Sequence, residues 1–338
     1  MTPLHSASVL LLGGYGSLGS RIARLLRRRH PELHLTIAGR NREKAEALAT
    51  ELGNADATLV DLSRADLGLP QDRAFSAVAT AVRDLSLNSM CFAQARGIAY
   101  IALSDAPFEL GPLVARYIHE PTVPVLMLGH SIGAVPTLAA LHFAGRFSRV
   151  EAIEIGLVFD PDDPFGAMSN ADMARIAQVG PQPLVLREGR WSYAAGEEAA
   201  RTFTGVGGVH HQGQAVGLAD LLSLCSIETL SSMRVDVAEG RTASSRSGQG
   251  PSHEVIIEIS GEMIGGDIGR YRYELVDPQG YAMLSARGVA VCIERLLGLD
   301  GGALPGSGLY LPESLVDSAY LLEQIEAGGV IVNRHLLQ

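Results

Sequence analysis

The sequence predicts an α/β protein: a parallel sheet flanked by helices, joined to a second α+β domain with a largely antiparallel sheet. Three observations predict this. Short apolar runs alternate with amphipathic stretches through the first third of the chain, the pattern of strand–helix–strand units. A glycine-rich turn, Gly14-Tyr15-Gly16-Ser17-Leu18-Gly19, separates the first apolar run from the first amphipathic stretch. Beyond about Gly145 the apolar runs lengthen and alternate with polar residues, as antiparallel strands do.

Each element follows from its own pattern. Ser8 to Leu12 is a compact buried strand, and Leu18 to Arg29 places Leu18, Ile22, Leu25 and Leu26 at helical spacing. His34 to Ala38 is a second strand, and Arg42 to Leu52 a helix ended by Gly53. Further strands are expected over Ala57–Val60, Ala74–Ala79, Ala99–Leu103 and Val123–Leu128. Helices Leu87–Arg96, stopped by Gly97, and Glu109–His119 lie among them. The second domain offers strands Glu151–Phe159, Met233–Ala238, Glu254–Ile264 and Arg270–Val276. Gly205–Gly217, rich in glycine and carrying His210 and His211, reads as a loop able to form a lid. Glu239–Pro251 reads as a mobile hairpin loop, and Tyr281–Leu297 and Pro312–Glu326 as closing helices. The expected divisions are residues 1–130, 131–311, and a terminal helix and strand at 312–338 that can return to the first domain.

Composition narrows the function. The 338 residues suffice for two domains of roughly 150 each. With 47% hydrophobic and 19% charged residues the chain is no disordered polymer. A net charge of −10 argues against a general nucleic-acid binder, which needs a positive surface. Met1 to Ala7 makes a poor signal peptide, and the longest uncharged stretch, Pro121–Gly145, is broken by prolines and glycines. Cys91, Cys225 and Cys292 form no CxxC pair, which suggests buried thiols in a reducing cytoplasm. No metal motif is present. The expectation is a cytoplasmic protein with a small-molecule substrate and neither a nucleic-acid nor a membrane partner. Lys44 is the only lysine among 27 basic residues.

The glycine turn carries the first chemistry. Gly13 precedes it, a strand leads in and a helix leads out, the Rossmann-type context in which backbone N–H groups cradle a pyrophosphate. Gly13, Gly14, Tyr15, Gly16, Ser17, Leu18 and Gly19 are therefore expected to bind the cofactor. An NAD site usually ends the second strand with Asp or Glu on the ribose hydroxyls. This strand ends Ala38-Gly39-Arg40-Asn41, with Lys44 one helical turn on. Arg40 can fork onto a 2′-phosphate and Lys44 can add a second charge, so NADP is the expected cofactor, with Asn41 beside it. Asp61, ending the third strand, is expected to border the adenine pocket.

These residues resemble the saccharopine dehydrogenase-like NADP-binding domain. The likeness lies in Val9-Leu10-Leu11-Leu12-Gly13-Gly14-Tyr15-Gly16, in Ala38-Gly39-Arg40-Asn41 with Lys44 and Leu48, and in Arg96-Gly97-Ile98-Ala99-Tyr100-Ile101. Weaker echoes follow at Asp277-Pro278-Gln279-Gly280-Tyr281 and Gly328-Gly329-Val330-Ile331. The resemblance implies a two-domain NADP-dependent oxidoreductase acting on an imine, C–N or carbonyl group of a small substrate in the interdomain cleft, and a homodimer formed through the second sheet. After the fourth strand the family often has Ala-Ala-Gly-Pro. This chain has Ala79-Thr80-Ala81-Val82-Arg83-Asp84, and Thr80 and Ala81 take the cofactor-side positions.

A rival motif sits in the same chain. Gly129-His130-Ser131-Ile132-Gly133 is a GxSxG between a strand and a helix, the context of a hydrolase nucleophile. Asp160, Asp162 or Asp163 with His210, His211 or His253 supply acid and base in the right order, so a serine hydrolase using Ser131 is the first alternative. A dinucleotide-binding protein without turnover is the second. For the oxidoreductase, Lys44 is committed to the cofactor and the proton carrier is sought among His130, Asp84 and Asp105, all at strand ends. Arg83, Arg270 and Arg272 are candidates to hold a substrate carboxylate.

Overall fold

A computed structural model describes residues 7–103, 109–179 and 182–337. It divides into two compact units, residues 1–129 with 289–316 and residues 130–288 with 317–338. The predicted fold class holds: a parallel sheet in the first unit and a mostly antiparallel one in the second.

In the first unit the chain runs β1 (Ser8–Leu12), α1 (Ser17–Arg29), β2 (His34–Gly39), α2 (Arg42–Leu52), β3 (Ala55–Leu59), β4 (Ala77–Thr80), α3 (Asn88–Arg96), β5 (Ala99–Leu103), α4 (Leu110–His119) and β6 (Pro124–Leu128). Val9, Leu10, Leu11 and Leu12 are all fully buried. A parallel strand covered on both faces needs such a continuous apolar run, and each leucine contributes about 1.5–3 kcal/mol. The strand order is 3-2-1-4-5-6, so the sheet reverses direction of growth beside β1, where such sheets bind ligands at their C-terminal ends.

A seventh parallel strand, outside the predicted elements, pairs with β6 through Gly308, Leu309 and Tyr310. Three residues beginning with glycine carry no periodic signal. Residues 289–316 bring it back to the first unit. This corrects the expected return of 312–338.

The second unit contains α5 (Val135–Ala144), β7 (Phe147–Phe159), α6 (Ala167–Val179), β8 (Leu184–Arg187), β9 (Arg190–Tyr193), β10 (Ala200–Thr204), β11 (His210–Ala215), α7 (Asp220–Leu224), β12 (Ser232–Glu239), α8 (Ala243–Arg246), β13 (His253–Met263) and β14 (Ile268–Asp277). The helix α9 (Tyr281–Leu296) and the short strand β15 (Gly308–Tyr310) follow, then α10 (Ser318–Ala327) and β16 (Ile331–Leu337). Pro312–Glu326 is thus no single helix: a short turn at Pro312–Ser314 precedes α10, whose start is fixed by Asp317 accepting from the Ala319 N–H. The path β10-β11-β12-β7-β13-β14-β16 is antiparallel except where β12 runs parallel to β7.

One face of this sheet is apolar, with Ile153, Ile155, Val255, Ile257 and Tyr273 buried, and α5 packs on β7 and β13. The other carries ion pairs. Arg201 meets Asp236 at 2.7 Å, and Arg272 meets Glu274 at 2.8 Å and Glu258 at 3.3 Å. Two loop expectations are corrected here. Gly205–Gly217 contains strand β11, and Gly213 admits the Phe203 ring, which would sit 2.8 Å from a Cβ there. Glu239–Pro251 is not a hairpin, because β7 lies between β12 and β13; Thr242 caps the short α8 inside it.

Candidate functional site

The glycine turn is built by close approach. Gly13 has φ +77° and donates its N–H to Ala38 O at 2.8 Å, tying the turn to β2. A Cβ on Gly19 would collide with Gly13 O and stand 2.8 Å from Gly14 Cα. On Gly16 it would meet only Gly13 O, at 3.1 Å, so the space beyond is open. Helix α1 begins here with neither a side-chain cap nor an acidic residue in its first turn. Its first N–H groups are free to face an anion, and the cradle fits a pyrophosphate.

The Tyr15 hydroxyl crosses to the end of β2. It accepts from the main-chain N–H of both Arg40 and Asn41, each at 3.0 Å. Gly39 makes this possible, since a Cβ there would fall 2.8 Å from the Tyr15 Cζ. Nothing in the residue spacing announces this role for Gly39.

Beyond that strand, Arg40 and Lys44 are exposed and enter no ion pair among the described residues. Arg42, by contrast, is occupied by Glu46 at 2.8 Å. Asn41 caps α2, its Oδ1 accepting from the Lys44 N–H at 2.9 Å. Cations at a helix start are electrostatically unfavourable, so this pair fits a bound anion. Asp61 lies two residues past β3 rather than at its end. It accepts from Ser63 N and Oγ at 2.9 and 2.6 Å, and those bonds hold its carboxyl below the usual range. Its geometry is that of a local turn.

Thr80 and Ala81 close the other side. Thr80 Oγ1 donates to Ile101 O and accepts from Leu103 N, stitching β4 to β5, so its hydroxyl is committed to the sheet. Ala81 donates its N–H to Leu12 O at 2.7 Å and packs its carbonyl against Gly13.

The proposed proton carriers fare less well. Asp84 accepts from Ser86 N and Oγ and from Ser89 N and Oγ, at 2.6–3.0 Å. A carboxylate with four donors is a helix cap, not a free acid. Asp105 lies outside the described residues. Arg83 pairs with Glu109, Arg270 with Glu154 and Glu258, and Arg272 with Glu258 and Glu274, so each predicted carboxylate-binding arginine already has a partner. His210 and His211 sit on a strand and form no lid. His211 is buried, wedged against Gly205 and Gly240, and burial pushes its imidazole below the usual range.

His130 opens the second unit. It is buried, its Nε2 lies 2.7 Å from Ser223 Oγ, and its Nδ1 has no partner among the described residues. Burial pushes its pKa down to about 4 against the pull of Asp220, so the ring is neutral at pH 7. Ser131 contradicts the hydrolase alternative. Its Oγ donates to Asp220 Oδ1 at 2.7 Å and its N–H to Oδ2 at 2.8 Å, while Thr137 Oγ1 donates to the same carboxylate at 2.6 Å. A nucleophile needs a histidine at its hydroxyl, and the neighbouring histidine binds Ser223 instead. The following turn is strained: Ile132, Gly133 and Ala134 have φ +47°, +60° and +65°. It is pressed by Gly288, where a Cβ would lie 2.9 Å from Val135 Cγ2.

His253, weighed only as a hydrolase base, is fully buried beside Phe159 and has no partner for either ring nitrogen among the described residues. The thiol expectation holds for Cys292 alone. Cys225 is exposed and Cys91 half-buried, whereas burial and then Glu294 push Cys292 up to about 12. Among the described residues no group of three His, Cys, Asp or Glu side chains could hold a metal, and no helix is long and apolar enough to cross a membrane.

Comparison with known proteins gives a family match over the first unit: the saccharopine dehydrogenase NADP binding domain, across residues 9–104. No curated protein sequence matches the chain. Among solved structures, apo saccharopine dehydrogenase (L-Glu forming) from Saccharomyces cerevisiae is similar at TM-score 0.68 and 14% identity, covering 98% of this chain and 100% of that one. An oxidoreductase from Agrobacterium radiobacter, in complex with NAD+, L-tartaric acid and magnesium, is similar at TM-score 0.51 and 12% identity, covering 97% and 98%. At such identities the likeness is one of fold.

Proposed function

We propose, from the match of residues 9–104 to the saccharopine dehydrogenase NADP binding domain, an NADP-dependent oxidoreductase acting on the C=N or C=O group of a small substrate. One observation supports NADP over NAD. At the end of β2, beside the glycine cradle, Arg40 and Lys44 stand without ion-pair partners among the described residues and no carboxylate replaces them. A ribose-binding acid there would repel a 2′-phosphate, while a guanidinium forks onto it. Gly13 to Gly19 would hold the pyrophosphate, Arg40 and Lys44 the 2′-phosphate. When bound, the nicotinamide supplies the hydride chemistry.

His130 takes a hydrogen-bonding part rather than the proton-donating one expected of it. A ring kept neutral at pH 7 is a poor acid, but its Nδ1, buried and without a partner among the described residues, has a hydrogen bond left for a substrate heteroatom brought against it. A small-molecule substrate and a homodimer belong to the same reading. Calorimetry with NADPH and NADH tests the cofactor. NADPH should bind at least about tenfold more tightly, and Arg40→Ala should erase most of that preference. Equal binding of both, unchanged in Arg40→Ala, would refute it.

A further inference from the structure

We infer that Tyr15 is a specificity-determining residue that donates its phenolic proton to the 2′-phosphate of the cofactor, an inference that rests on the NADP reading above. The hydroxyl accepts two main-chain N–H bonds, from Arg40 and Asn41, at 3.0 Å each. Both lone pairs are then occupied, and no acceptor for its own proton is found among the described residues. A hydroxyl that accepts from two peptide groups is polarised into a stronger donor.

The two N–H groups lie on the segment that joins β2 to α2, Arg40 and the helix cap Asn41. The phenol therefore stands as a polarised donor on the same short segment that carries Arg40 and, one turn into α2, Lys44. A dianionic phosphate gains more from such a donor than a neutral ribose hydroxyl does, because charge-assisted hydrogen bonds are about twice as strong. The ring is seated for this, lying on Gly39 where any Cβ would displace it.

The test is calorimetric titration with 2′,5′-ADP and with 5′-AMP, which differ only in the 2′-phosphate. Tyr15→Phe keeps the ring on Gly39 and removes the hydroxyl. It should weaken 2′,5′-ADP by about tenfold or more and leave 5′-AMP within about twofold. Gly39→Ala, which expels the ring, should reduce the same selectivity and serves if Tyr15→Phe melts early. An unchanged or improved 2′,5′-ADP affinity, or an equal loss for both nucleotides, overturns the inference. Arg40→Ala separates the two claims. If it loses selectivity and Tyr15→Phe does not, only the role of Tyr15 fails. If wild type binds 2′,5′-ADP no better than 5′-AMP, the NADP reading fails and takes Tyr15 with it.

Discussion

Arg29, at the end of α1, donates to both carboxylate oxygens of Glu294 on α9, at 3.0 and 3.3 Å, and that carboxylate is wholly buried. His30 adds a contact of 3.0 Å to the same Oε1. The pair anchors residues 289–316 in the first unit. Removing the cation alone strands a buried charge, so Arg29→Met should cost about 3 kcal/mol or more, read by urea denaturation at pH 7. Burial pushes Glu294 up, but the His30 hydrogen bond and the Arg29 charge outweigh it and hold the carboxyl below the usual range. Its stabilisation is therefore complete above the unfolded value of about 4.3 and is lost as pH falls through the lower folded value.

Two buried histidines set a second pH window. Burial pushes His253 down to about 3 and His130 to about 4. In the unfolded chain each takes a proton near pH 6.5, so between that pH and the folded values the unfolded state binds more protons and stability falls on acidification. Each ring should contribute up to about 1.4 kcal/mol per pH unit. In His253→Phe the slope between pH 6 and 4 should drop by about that amount. A slope identical to wild type would show that His253 gains a proton partner when folded.

Ser131 should be inert. A fluorophosphonate probe is expected not to label it, since its hydroxyl proton is held by Asp220. Asp220→Ala should destabilise the chain by about 3 kcal/mol, because it strips partners from Ser131 N, Ser131 Oγ and Thr137 Oγ1 together. Ser131→Ala, which removes one of those bonds, should cost about 1–2 kcal/mol.

Gly19→Ala tests the cradle. The added methyl meets Gly13 O and Gly14 Cα, so the turn must shift. NADPH affinity should fall at least about tenfold, with a stability loss of about 1–3 kcal/mol. Retention of wild-type affinity would show that the turn does not carry the pyrophosphate.

Local chemistry was legible and long-range approach was not. The turn from Gly13 to Gly19 could be read from spacing because strand, glycines and helix are contiguous. So could Arg40 and Lys44, one helical turn apart. The glycines from Gly205 to Gly240 were misread as flexibility, although several answer to rings: Gly213 to Phe203, and Gly205 and Gly240 to His211. Those contacts join residues whose proximity no periodicity encodes. The ionic face of the second sheet hid for the same reason: Arg272, a candidate for a substrate carboxylate in the sequence, is held instead by Glu258, Glu274 and β10, its Nη1 donating to Thr204 O at 2.6 Å. Asp84 was expected at a strand end but lies four residues past β4, where its four donors come from Ser86 and Ser89 just downstream.

Lys44 has a consequence for labelling chemistry. It bears the chain's only side-chain amine, and that amine is exposed beside Arg40. An amine-directed acylating dye would thus attach to this one side chain and to the α-amine, and acylation would erase the charge that the proposed 2′-phosphate contact needs. The native sequence therefore offers a footprint: NADPH bound as proposed should protect the Lys44 amine from acylation, read by mass spectrometry of the labelled peptide.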